Sequence, residues 1–153
     1  MERCDRLTTL IDRFKLAVTP AALGDANLIV FAAPDGTPNR TLFRTRSVGF
    51  ELAGQQVLFC ARVDWSGPHN PLLTALPETV DINLSGDPDS LGLVRIMQYE
   101  ITAQRCGVDS VLSRLGEVLI VRMMRAQIEA GATRPGLLAG LADPRLSRAI
   151  VAM

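Results

Sequence analysis

The chain reads as an α+β domain, an antiparallel β-sheet in its first half followed by a helical second half, on three observations. Val57, Phe59, Ala61, Val63 and Trp65 interleave with Leu58, Cys60, Arg62 and Asp64, which sets one nearly uniform apolar row on a single sheet face. From Ser90 onward the apolar spacing changes to three and four residues and stays there, the spacing of a helix face. Turn residues are scattered through 153 residues rather than pooled into a linker, so a single domain is expected, β-rich over about 20–85 and helical over about 90–153.

Taken in order, Leu7, Leu10, Ile11 and Phe14 recur on one helical face, and Pro20 stops the pattern, predicting a short amphipathic helix at the start. Asn27 to Ala33 reads as a buried strand, Pro34 to Gly36 as a turn, and Thr41 to Thr45 and Val48 to Ala53 as further strands. Gly54 and Gln55 then suit a tight hairpin connection into the alternating strand. Asn70 followed by Pro71 is a cap with proline at the first helical position, opening a brief turn through Leu72, Leu73 and Leu76 that Pro77 ends. Val80, Ile82 and Leu84 alternate with Asp81 and Asn83 as one more strand.

In the helical half, Leu93, Ile96, Met97 and Ile101 are expected on one face, with Gly107 placed to end that helix. Asp109 is expected to cap a longer helix running to Gly131. Its middle, Val118 to Met124, is apolar over most of the circumference, more than a helix packed on one side needs. The excess implies either burial beneath the sheet or contact with a second copy, with Leu119, Ile120, Met123 and Met124 as the candidate homodimer interface. A last pattern begins at Asp143 and Pro144, repeats through Leu146, Ala149, Ile150 and Met153, and stops unfinished. The native protein is therefore expected to continue.

Hydrophobic residues make up 48% and charged ones 21%, a globular composition rather than a disordered one. Net charge is zero, so the domain has no positive surplus to draw it onto phosphates and is not expected to bind nucleic acid itself. Cys4, Cys60 and Cys106 are odd in number and show no pairing rhythm, which suits a reducing cytoplasm. The charged N-terminus carries no signal peptide, and Arg122 breaks the longest apolar run, so no membrane span is expected.

His69 is the only histidine, which removes a multi-histidine metal site; no metal and no cofactor are expected. Asp64, Ser66 and His69 lie close together, but WSGPHNP is a run of turn and capping residues without a nucleophile elbow. No GxGxxG, GxxxxGK[ST] or HExxH occurs. Glu117 stands three residues from Arg114, the spacing of a surface ion pair. No catalytic residue is assigned. The better candidate site is apolar: Phe31, Phe43, Phe50, Phe59 and Trp65, with Arg62, either line a small-molecule pocket or form ordinary sheet core. Met97, Met123 and Met124 read as packing.

At VLFCARVDW (57–65), NPLLTALPETVDINL (70–84), VLSRLGEVLIVRMMRAQIEAG (111–131) and PGLLAGLADPRLSRAIVAM (135–153), the chain resembles the N-terminal cupin-type domain of AraC-family transcription regulators. The resemblance covers about Val57 to Met153, and Asn27 to Arg46 departs from it by carrying no histidine. It implies an abbreviated cupin-like sheet or partial jelly roll, followed by a helical dimerisation segment and cut before two helix-turn-helix motifs. It further implies an unknown small-molecule effector, a homodimer, and DNA contact only through the missing C-terminal domain. The alternatives are a purely structural dimerisation domain without ligand and a cupin-fold enzyme.

Overall fold

The computed structural model describes residues 6–66 and 70–130. Its chain order is helix α1 (Arg6–Phe14), strands β1 (Ala17–Pro20), β2 (Leu28–Ala32), β3 (Pro38–Arg44) and β4 (Gln56–Asp64), helix α2 (Pro71–Ala75) and strand β5 (Thr79–Asn83). A 3₁₀ turn (Leu84–Gly86) then leads to helices α3 (Pro88–Ala103) and α4 (Val108–Ala130). All strand pairs are antiparallel, in the order β1-β4-β2-β3-β5. The α+β expectation, an antiparallel cupin-like sheet followed by helices, holds.

The central strand is the one whose five residues are all buried, β2, which is why Asn27 to Ala33 reads as a continuous apolar run rather than an alternating one. Register fixes the helix-side face. Leu28 stands opposite Phe43 and Ala61, Val30 opposite Thr41 and Phe59, Phe43 opposite Val80, and Val18 opposite Val63. On this face Leu112, Leu119, Ile120, Met123 and Met124 of α4 complete one hydrophobic core. The apolar girth of α4 is thus used within one chain: the four side chains expected at a homodimer interface are at most 2% exposed. They occupy the place that the sequence left open as burial beneath the sheet.

Three expectations for the first half are corrected. The opening helix ends before Pro20, at Phe14, and Lys15 follows with a left-handed φ of 50°. Pro20 instead closes β1, an edge strand, where a missing N–H costs no ladder bond on the open side. Residues 48–53 form no strand: the Gly49 N–H donates to Ala26 O at 2.7 Å and the Phe50 N–H to Leu23 O at 3.3 Å. Those backbone bonds go to the loop before β2, so Gly54, at φ 77°, leads into β4 without making a hairpin.

Three more concern the helices. α3 buries Ser90, Val94 and Met97, while Ile96 is 53% exposed on the opposite side. Its end is set by Gln104 in the left-handed conformation, not by Gly107. Asp109 stands in the first turn of α4 rather than at its cap, where it still favours the positive end of the helix dipole. The final pattern from Asp143 lies outside the described residues. Among those described, no helix is long and apolar enough to cross a membrane.

Candidate functional site

Where β2 begins, Asn27 extends the ladder with its side chain. Its Nδ2 donates to Val63 O at 2.9 Å and its Oδ1 accepts from Val63 N at 2.6 Å, so a buried amide does the pairing that backbone would do. Beyond it opens a groove of about 350 Å³, lined by Asn27, Arg46, Arg62, Asp64, Trp65 and Leu73 among others. The Arg62 Nε donates to Asp64 Oδ1 at 3.1 Å, a pair open to solvent. Among the described residues Arg46 has no ion pair. The groove therefore offers guanidinium donors and one carboxylate to a polar molecule.

Trp65 packs half-buried against the core, and among the described residues its buried Nε1 has no acceptor. Of the six residues expected to line a pocket, Arg62 and Trp65 share this groove. Phe43 and Phe59, at 1% and 6% exposure, fill the helix-side core. Phe31 is buried too but stands outside that core cluster, following Ile29 on the opposite face by alternation. Phe50 sits in the loop, with the Arg44 guanidinium 5.0 Å from its ring centroid.

The Cys60 thiol donates to Ala21 O at 3.0 Å and burial pushes its pKa up, so it stays protonated. His69 lies outside the described residues, and with it the Asp64, Ser66 and His69 trio. Among the described residues no group of three or more His, Cys, Asp or Glu could hold a metal. Arg114 and Glu117 do pair, at 3.6 Å on the surface of α4. A second, larger groove of about 510 Å³ runs between α1 and α4, with Ile11, Leu16, Val118 and Val121 as its apolar lining and Lys15 and Arg125 among its charges.

The profile of the cupin family matches residues 14–129, which takes in the whole sheet, α3 and all but the last residue of α4. The chain belongs to the cupin family. Its type is the one that stands N-terminally in AraC regulators. This cupin is also similar to a protein of Haemophilus influenzae named as an uncharacterized HTH-type transcriptional regulator, at 32% identity over 97 residues. The similar stretch covers 63% of this chain and 32% of the relative, so this cupin spans about a third of that protein. No solved structure matches it.

Sequence reasoning missed one polar cluster in this cupin. Asp87 accepts from Ser90 N at 3.1 Å and from Ser90 Oγ at 2.6 Å, capping α3. From α4, the Arg122 Nε donates to Ser90 Oγ at 2.9 Å and its Nη2 to Asp87 Oδ1 at 3.3 Å. These bonds, the Ser90 hydroxyl foremost, hold the Asp87 carboxyl below its ordinary range against the opposing effect of burial. The detectable signal was Asp87 before Pro88, a cap followed by a first-turn proline.

Proposed function

We propose that this cupin is the effector-sensing and dimerising module of a bacterial AraC-type transcription regulator, working in the cytoplasm and reaching DNA through a separate domain. One observation carries the reading: a cupin of AraC N-terminal type is similar over 97 residues to a protein named as an HTH-type transcriptional regulator. Kinship with a regulator also favours a non-enzymatic role. The groove of Arg62, Asp64 and Trp65 is the place offered to an effector, because an aromatic wall beside charged donors suits a small polar molecule. Binding there would bias the spacing of two attached DNA-reading domains only if the effector distinguishes two states of the pair.

A second reading, a structural dimerisation domain without ligand, is favoured by the burial of Phe43 and Phe59, which puts two of the aromatic residues into core rather than into a cavity wall. Both readings require self-association, and one experiment tests it: fusing residues 1–153 to a heterologous DNA-binding domain that represses a reporter only as a dimer. Strong repression is expected. Repression no better than that of the bare DNA-binding domain would remove the dimerising role and, with it, the regulator reading as stated.

A further inference from the structure

The opening helix carries an apolar stripe that the rest of the fold covers only in part. Leu7, Ile11 and Phe14 are each half-buried, although their spacing is that of a helix face meant for a core. The groove of about 510 Å³ beside α1 has Ile11 and Leu16 on one side and Val118 and Val121 of α4 on the other. Val118 is left 47% exposed there. Charges stand around these apolar walls, Asp12 and Lys15 near the end of α1, Glu117 and Arg125 on α4. Among the described residues neither Lys15 nor Arg125 has an ion pair. Two apolar helix faces thus meet without closing on each other, and the gap suits a third amphipathic stretch.

Chain connection and charge select the occupant. α4 ends at Ala130, so Arg125 lies about 8 Å and Val118 about 18 Å back along the helix from that end. Residues 131–142 carry Gly131, Pro135, Gly136 and Gly140, a composition that favours reversal over continuation of α4. Such a stretch spans up to about 40 Å when extended, ample for the return. From Asp143 the sequence resumes helical spacing, with Leu146, Ala149 and Ile150 on one face. Run antiparallel to α4, it brings Leu146 level with Val121, and Ala149 and Ile150 level with Val118, because both rise equally per residue. The same course brings Asp143 to Arg125 and Arg148 towards Glu117, opposite charges in both places. A tethered segment meets the groove at an effective concentration in the millimolar range, which a separate chain reaches only in bulk.

We propose that residues 143–150 of the same chain fold back antiparallel along α4 and fill the groove between α1 and α4, with Leu146 and Ile150 against Val121 and Val118. The segment supplies the apolar cover that α1 lacks, and Asp143 and Arg148 fix its direction through Arg125 and Glu117. This seat depends neither on the pairing of two chains nor on an effector, so it stands or falls apart from the regulator reading. Within that reading, it fixes the side of the cupin on which a following DNA-reading domain is held.

Disulfide trapping in residues 1–153 tests the seat, in a C4S/C106S background that leaves the half-buried Cys60 in place. Under mild oxidation V121C/L146C is expected to close within the chain at least about tenfold faster than the control R95C/L146C, at a rate independent of protein concentration. The control places its first cysteine at an exposed position of α3, away from the groove. Closure no faster than the control overturns the proposal. A disulfide between two chains, forming faster as concentration rises, overturns it too and gives the groove to a second copy. Trypsin cleavage after Arg145 and Arg148 checks the same seat without new cysteines, with far-UV circular dichroism confirming that V118D, changed at an exposed position, stays folded. Cleavage follows the population of the open form, so wild type is expected to be cut about tenfold more slowly than V118D, which sets a charge in the apolar groove. Equal rates, or protection that is lost on dilution, overturn the proposal.

Discussion

At the scale of single residues, Asp87 ties two helices together. It caps α3 through Ser90 and receives Arg122 from α4, so one carboxylate fixes both a helix start and the approach of two helices. Its folded-state pKa lies below the ordinary value of 3.8. A carboxyl whose pKa is depressed by folding contributes stability above its unfolded value and loses it as pH falls through the folded one. Asp87→Ala is therefore expected to cost about 1 to 2 kcal/mol near pH 7, the usual worth of a cap. Urea unfolding from pH 7 down to pH 2 checks this: the gap between wild type and variant should stay constant to about pH 5 and then shrink. A gap that is unchanged at low pH would mean that Asp87 acts through packing and not through its charge.

At the scale of elements, the closest fit is that of α4 on β1. A Cβ built at Gly116 falls 2.6 Å from Val18 Cγ1, and Val18 is itself buried at 3% exposure. Valine has little rotamer freedom to move aside. Gly116→Ala sets a gain of up to about 1 kcal/mol in helix propensity against an overpacking cost of about 1 to 3 kcal/mol. A net loss of stability is expected, with the double variant G116A/V18A more stable than the sum of the single changes predicts. Additivity in that cycle would show that the contact is looser than drawn. The same scale explains what sequence could reveal. β2 and β4 were legible because central burial and strict alternation leave a clear pattern, whereas β1 was hidden by its four-residue length and its proline. Val48 to Ala53 looked like a strand by composition, but Gly49 takes a left-handed φ of 91° and the backbone bonds to another loop. α3 misled because it is apolar on two sides, and periodicity alone cannot choose which side meets the core. Of the candidate pocket, Arg62 and Trp65 were legible as neighbours at one strand end. Whether Phe31, Phe43 and Phe59 share a face depends on register and bulges between strands, which no local pattern records.

At the scale of the whole molecule, charge bears on the proposed division between this cupin and a separate DNA-reading domain. The 16 basic residues balance 16 acidic ones, and several arginines are already engaged: Arg40 with Asp81 at 2.6 Å, Arg62 with Asp64, Arg114 with Glu117, and Arg122 with Asp87. Asp81 raises the Arg40 pKa further, locking that charge in place across β3 and β5. Duplex DNA is bound without sequence preference by displacing counterions with free cations, and that affinity falls steeply with salt because several are needed at once. A chain of zero net charge, with these four arginines facing carboxylates, offers no cationic surplus for that. Residues 1–153 alone are therefore expected to leave duplex DNA unretarded at about 0.15 M salt, with dissociation constants weaker than about 10⁻⁴ M and no meaningful salt slope. The measurement is a titration of labelled DNA by fluorescence anisotropy across salt concentrations. Binding at micromolar concentration with a steep salt dependence would reveal a cationic surface in the chain itself, and the division of labour between a pairing cupin and a separate DNA-reading domain would have to be abandoned.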